Sequence, residues 1–284
     1  MKQQSIERKE AWKTIFIFLI IVTVVSTPFY LAIVNLYPSR IYVGGLMWCP
    51  AIAAIITLKI KRRPISLIHW NWADWKYIRW SYFTPAIYVF ITYILIWFFG
   101  LGELSNVESI MEWAKELGLV GFGTLKPIFI IIIGIVLLGT IGVIRAMATV
   151  LGEEIGWRGF LIYEPRKVLS FTSVSLFVGL IWALWHWPIL LYYRENVTLE
   201  FITFFVFVIS MSFIMTYYTF KSSSLWPAVI FHAVSNVYVQ KIFPPSTSKI
   251  EGSENWLGEY GIMFALVTFL FGLYFWRKAK KENL

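Results

Sequence analysis

Two adjacent carboxylates and two arginines lie in a stretch that is otherwise apolar or small. Between residues 144 and 163 the charged side chains are Arg145, Glu153, Glu154 and Arg158. A charge at membrane depth is expensive, so it usually faces a protein interior or a water-filled cavity. Two neighbouring acids in such a place indicate proton chemistry. The alternative is that both acids form salt bridges or reach the membrane interface.

The spacing of these residues gives the two acids different surroundings. Glu154 and Arg158 are four residues apart with the acid first, the favourable order for an ion pair within a helix. Glu153 points about 100° away around the same helix. We therefore expect Glu154 to be neutralised by its own helix, and Glu153 to remain free for another role.

Two histidines and an asparagine lie in other apolar segments. His186 and His232 are each surrounded by apolar residues, and Asn236 follows His232 by four positions, on the same helix face. An asparagine amide donates hydrogen bonds without carrying charge, which suits a developing oxyanion. Each residue could instead bond a neighbouring helix. Together with the acids, they are the parts of a site that activates water and stabilises a tetrahedral oxyanion.

Composition indicates a membrane protein. Of 284 residues, 58% are hydrophobic, 19% are aromatic and 14% are charged, whereas a soluble domain has about a quarter of its residues charged. We predict an all-α polytopic integral membrane protein, a bundle of about eight transmembrane helices forming one membrane-embedded domain over 1–284. The predicted spans are 14–36, 41–58, 80–99, 127–151, 171–193, 201–220, 225–243 and 259–276.

The distribution of basic residues predicts the orientation. Most of them fall in the N-terminal segment, the C-terminal tail and alternate loops, which predicts that both termini are cytoplasmic. The outer loops hold Arg40, Lys115, Lys126, Arg194, Lys241 and Lys249. This alternation favours contact with a lipid bilayer over nucleic acid, despite a net charge of +9. Residues 103–117 have apolar residues at helical spacing and are predicted to form an amphipathic surface helix.

The ordered motifs resemble the CPBP (Abi) family, which contains the CAAX prenyl endopeptidases and bacteriocin-processing or immunity proteins. The type II CAAX prenyl endopeptidase branch is the nearest. The first motif is Glu153-Glu154-Ile155-Gly156-Trp157-Arg158, and the third is His232-Ala233-Val234-Ser235-Asn236. The second, ending at His186, begins with Trp182 where the family usually has Phe. This departure predicts a different cavity shape and retained activity. The motif core lies within about 127–243.

The resemblance implies an intramembrane endopeptidase and assigns a role to each matching residue. Glu153 is the implied general base, and Glu154 and Arg158 order the site. His186 positions the water, or a metal, and His232 and Asn236 bind the oxyanion. The implied substrate is a prenylated CAAX-type protein or another membrane-associated protein or peptide. Two other functions remain open, a non-catalytic bacteriocin-immunity protein and a proton-coupled transporter.

Metal dependence is a separate question. His186, His232 and Glu154 could supply the three protein ligands of a catalytic zinc. The sequence has no His-Glu-x-x-His motif, and Glu154 already has Arg158 as a predicted partner. We therefore favour water activation without a required cofactor, and zinc remains the alternative.

Two features do not fit simply. Counted from the inner face at about 1.5 Å per residue, His232 is about 10 Å deep and His186 more than about 20 Å deep. Their convergence requires the span at 171–193 to begin later, tilt or break, and Pro188 is predicted to disturb the helix there. Arg145 has no assigned role, and we expect it to pair with an acid on another span.

Overall fold

Long apolar α-helices make up most of the chain. The computed structural model describes residues 2–104, 107–119, 127–193 and 197–284. The helices are α1 (Lys2–Asn35), α2 (Arg40–Ile60), α3 (Trp75–Phe98), α4 (Val107–Glu116), α5 (Pro127–Leu137), α6 (Val143–Glu154), α7 (Tyr163–Arg166), α8 (Phe171–Tyr193), α9 (Val197–Ser222), α10 (Trp226–Val237) and α11 (Ile262–Lys281). Three π-helical segments lie at Leu138–Gly142, Ile155–Leu161 and Tyr238–Ile242. Two short strands, β1 (Glu103–Leu104) and β2 (Thr247–Ser248), pair antiparallel.

Seven helical runs of the described chain are long and apolar enough to cross a bilayer. They are Ser5–Asn35, Arg40–Ile60, Trp75–Phe98, Ile128–Arg166, Phe171–Tyr192, Val197–Ser222 and Ile262–Lys281. The prediction of an all-α, multi-pass integral membrane protein is confirmed. The predicted surface helix is present as α4. The predicted outer-loop residues Lys126 and Arg194 lie outside the described residues.

The predicted span at 225–243 is a short, central helix. It corresponds to α10 and the π-helical segment that follows it, and it is shorter than the ~20 residues of a full crossing. Most of its side chains are buried, because α3, α6 and α9 pack around it. A helix shielded from lipid by other helices does not need to match the bilayer thickness. The core of the bundle is therefore built around α10.

Hydroxyl groups connect the central helices. Tyr88 of α3 donates a hydrogen bond to Ser235 of α10 over 2.6 Å, and both residues are fully buried. The hydroxyl groups of Thr84 and Tyr218 lie 2.8 Å apart and join α3 to α9. Inside a bilayer such bonds satisfy polar groups that lipid cannot. The first bond ties α10 to α3, and the second ties α3 to α9 beside it.

Glycines allow α2 to pack directly against the helix that carries the acids. A Cβ atom at Gly152 would lie 2.6 Å from the carbonyl oxygen of Met47. A Cβ atom at Gly156 would lie 2.7 Å from the backbone of Pro50. These distances are below van der Waals contact, and backbone atoms cannot rotate away. Gly152 and Gly156 flank Glu153 and Glu154, so this close approach determines where the acids lie.

Helix α8 differs from the prediction at Pro188. The helix is continuous from Phe171 to Tyr193 and contains Pro188 in its interior. The helix is therefore not broken at this proline, and the two histidines do not converge through a break in α8.

The connection between α2 and α3 is tied to the start of α10. The backbone N–H of Leu225 donates to the carbonyl oxygen of His69, and the indole of Trp226 donates to the carbonyl oxygen of Trp70. The ring of His69 stacks on Tyr163 with centroids 4.0 Å apart. Burial lowers the pKa of the His69 imidazole. These contacts give His69 a packing role and hold the first turn of α10 in place.

Substituting Gly156 with alanine tests the α2 contact. We expect Gly156→Ala to destabilise the protein by about 1–3 kcal/mol, because the added methyl group overlaps the backbone of Pro50. Gly44→Ala is the matched control, since a Cβ atom at Gly44 meets nothing within 4 Å. The measurement is unfolding of both variants in the same detergent. Equal stability of the two variants would contradict the close packing of α2.

Candidate active site

The carboxylate of Glu154 accepts hydrogen bonds from two other side chains of the site. One of its carboxylate oxygens, Oε1, accepts a hydrogen bond from Nη1 of Arg158 over 3.1 Å and one from Nδ1 of His232 over 2.8 Å. Glu154 and Arg158 are completely buried, and His232 is nearly so. The predicted ion pair between Glu154 and Arg158 is confirmed. Because an ionised carboxylate can only accept, Nδ1 of His232 carries the hydrogen.

Glu153 has a different environment. Its Oε2 atom accepts a hydrogen bond of 2.8 Å from the indole N–H of Trp182 on α8, and the residue is 2% exposed. The two neighbouring acids thus contact different helices, as the helix geometry predicts. Glu154 contacts α10, and Glu153 contacts α8. The indole is a neutral donor, and Glu153 also interacts electrostatically with Arg158, although no ion-pair contact joins them in the described structure.

Trp182 lies between the two histidines. Its ring is 5.1 Å from the ring of His232, and the guanidinium of Arg158 lies 4.1 Å from a ring centroid of the indole. Its carbonyl oxygen is 2.9 Å from Nδ1 of His186. The ring centroid of Trp182 also lies 6.0 Å from that of His186, so the indole packs against both histidines. Sequence reasoning missed this polar role, although a buried indole N–H usually has an acceptor.

His186 is half-buried among aromatic rings. Its ring centroid lies 4.9 Å from that of Trp185 and 5.2 Å from that of Phe204 on α9. A carbonyl oxygen can only accept, so Nδ1 of His186 donates to Trp182. In a neutral imidazole, Nε2 then carries the lone pair and can accept a hydrogen bond from water.

Asn236 shares the face of α10 that carries His232. It is half-buried and lies just before the π-helical segment Tyr238–Ile242. Such segments occur frequently at functional sites. Across the described residues, no hydrogen bond joins Asn236 to either acid. Its predicted role as an oxyanion donor stays a prediction.

Arg145 is an exposed residue on the outside of the bundle. One turn further along α6, the carbonyl oxygen of Ala148 accepts a hydrogen bond from the indole of Trp48 on α2. In the part of the chain that the structure describes, no carboxylate forms an ion pair with Arg145. The expected acidic partner on another span is therefore not found there.

The predicted zinc ligands do not form a zinc site in this arrangement. Among the described residues, no group of three His, Cys, Asp or Glu side chains is placed to hold a metal ion. Oε1 of Glu154 already accepts from both Arg158 and His232, and Nδ1 of His232 is used in that bond. Oε2 of Glu154 has no hydrogen-bond partner in the described structure, and Nε2 of His232 takes no part in these bonds, so each residue keeps one open ligand atom. Zinc therefore stays the alternative prediction.

Two comparisons with known proteins found a match. Residues 135–238 match the family model described as type II CAAX prenyl endopeptidase Rce1-like. The chain is also 28% identical over 106 residues to CAAX prenyl protease 2 of Methanococcus maripaludis. That match covers 34% of this chain and spans 39% of the length of the relative. The residues that match the family model include all three motifs.

Removing the buried guanidinium tests the role of Glu154. We expect Arg158→Leu to destabilise the protein by about 3–5 kcal/mol, because it leaves a buried carboxylate without its cation. Unfolding in mixed micelles measures the change.

Arg166→Leu is the control, since Arg166 is exposed and bonds only a backbone carbonyl in the described structure. Adding Glu154→Leu to Arg158→Leu should restore part of the stability. A small effect of Arg158→Leu, similar to that of Arg166→Leu, would contradict the ion pair.

Proposed function

We propose that this chain, whose resemblance to the CPBP family is confirmed through residues 135–238, is an intramembrane endopeptidase. It hydrolyses a peptide bond in a prenylated CAAX-type protein or another membrane-associated protein or peptide. The observation that carries the proposal is the different bonding of the two acids. Glu154 is bonded to Arg158 and His232, whereas Glu153 is buried with a single neutral donor from the protein. Glu153 is thus the acid available to accept a proton.

The reaction begins with water. Glu153 takes a proton from a water molecule, and the resulting hydroxide attacks the scissile carbonyl carbon. The tetrahedral intermediate carries an oxyanion, and collapse of that intermediate breaks the C–N bond. Glu153 then gives its proton to the leaving amine. The buried position of Glu153 favours these reaction steps, because a charged group in a low-dielectric site interacts strongly with the charge that develops in the transition state.

His232 and Asn236 supply donors to the oxyanion. Nδ1 of His232 donates to Glu154, which fixes the orientation of the ring. An imidazole that carries a hydrogen on both nitrogens also donates from Nε2, and Nε2–H of His232 is then the donor to the oxyanion. The side-chain amide of Asn236 on the same helix face adds a neutral donor. Two such donors lower the barrier of acyl transfer substantially, since removal of one typically lowers kcat by about 10²–10³-fold.

His186 completes the water site. Its Nδ1 is used in the bond to the carbonyl of Trp182, so Nε2 faces away from its own helix with a lone pair. Nε2 accepts a hydrogen bond from the water and turns the second hydrogen toward Glu153. This role needs no metal, and the bonds of Arg158 and His232 to Oε1 of Glu154 give this carboxylate a positioning role in a metal-independent route.

An apolar groove supports a substrate that carries a lipid chain. The groove lies between α8, α9 and α11 and has a volume of about 540 Å³. Phe201 lines the groove and contacts Trp187, and Phe204, three residues later on α9, contacts His186. We place the hydrocarbon chain of the substrate in this groove. The basic loops support an orientation with both termini cytoplasmic.

Substituting Glu153 with glutamine tests the proposed base. We expect Glu153→Gln to lower cleavage of a fluorogenic prenylated C-terminal peptide by at least about 100-fold, because an amide cannot accept the proton. Phenanthroline should leave cleavage by the wild-type protein unchanged. Glu112→Gln is the control, since Glu112 is exposed on α4.

Several outcomes would contradict the proposal. Equal cleavage by wild type and Glu153→Gln would exclude Glu153 as the base. Loss of activity with phenanthroline, restored by zinc, would favour the metal-dependent alternative. A wild-type protein that cleaves no membrane peptide would favour the non-catalytic immunity protein or the proton-coupled transporter.

A further inference from the structure

Trp182 makes polar and ring contacts with four residues of the candidate site. Its indole N–H bonds Glu153, its ring faces Arg158 and His232, and its carbonyl oxygen bonds His186. The residue is 2% exposed. The matching position of the family motif is usually Phe, which has a ring but no N–H donor.

The bond to Glu153 matters because the carboxylate is buried. A buried carboxylate without a donor carries a large desolvation penalty. The nearby cation, Arg158, is already bonded to Glu154 over 3.1 Å. In the described structure, the carboxylate of Glu153 accepts its protein hydrogen bond from the indole N–H of Trp182. This bond holds Oε2 on the α8 side and leaves Oε1 to bond water.

We propose that Trp182 is a positioning residue, which orients the Glu153 carboxylate through its indole N–H. Its ring also holds the side chains of Arg158 and His232 in place, because both pack against it. The inference rests on the proposed function for its effect on the reaction, and on geometry alone for its effect on stability. A substitution that restores the usual family residue at this position therefore impairs this protein.

The kinetic test compares two Trp→Phe variants. Trp182→Phe keeps an aromatic ring and removes the N–H, so we expect kcat to fall about 10-fold while KM stays within about twofold. Trp97→Phe is the matched control. The indole of Trp97 on α3 donates to Thr247 over 3.2 Å, and neither residue contacts Glu153 or Glu154 in the described structure. Loss of this bond should leave kcat and KM unchanged.

The stability test does not depend on activity. We expect Trp182→Phe to lower the Tm by about 3 °C in the wild-type background. The same decrease should occur in Glu153→Gln, which keeps an oxygen acceptor. It should disappear in Glu153→Leu, which has none. The effect of Trp97→Phe should be the same in all three backgrounds.

Each outcome decides the inference. If Trp182→Phe folds only together with Glu153→Leu, the unbonded carboxylate is the cause and the inference is supported. If it fails to fold in both backgrounds, or if its effects on kcat and Tm equal those of Trp97→Phe, Trp182 is a packing residue and the inference is overturned. A wild-type protein without peptidase activity would remove the proposed function, and the Tm comparison would still decide whether Trp182 holds Glu153.

Discussion

The hydrogen bonds of one buried oxygen organise the candidate site. Oε1 of Glu154 accepts from both Arg158 and His232, and thereby links the helix that carries the acids to the central helix α10. A buried ion pair contributes little net stability, but breaking it by removing one partner is strongly destabilising. The arrangement therefore fixes a geometry. It orients the ring of His232, and in the proposed mechanism it leaves Glu153 as the acid that accepts a proton.

The remaining fold maintains this geometry. Gly152 and Gly156 allow α2 to press against the acidic helix on one side. Tyr88 anchors α10 on the other side through Ser235. The loop around His69 bonds the first turn of α10. Each contact lies near a site residue, so the positions of Glu153 and His232 depend on α2, α3 and the loop around His69 packed against them.

The sequence predicts those parts of the structure that follow from local spacing. Hydrophobic spans, the pair of Glu154 and Arg158, and the shared face of His232 and Asn236 all depend on helix periodicity. The bond between Glu154 and His232 joins residues 78 positions apart, and only the fold brings them together. The span at 171–193 was expected to begin later, tilt or break so that His186 could meet His232. Helix α8 is unbroken, and the ring of Trp182 contacts the rings of both histidines.

The division of roles between the two acids is tested most directly by measuring cleavage and thermal unfolding together. The two carboxamide variants, Glu153→Gln and Glu154→Gln, are compared in one detergent with the same prenylated peptide. The account predicts that Glu154→Gln lowers both the Tm and cleavage, since Arg158 and His232 lose a charged partner. Glu153→Gln should abolish cleavage and leave the Tm near that of the wild type. The opposite result, with Glu153→Gln unstable and Glu154→Gln stable but inactive, would contradict the account.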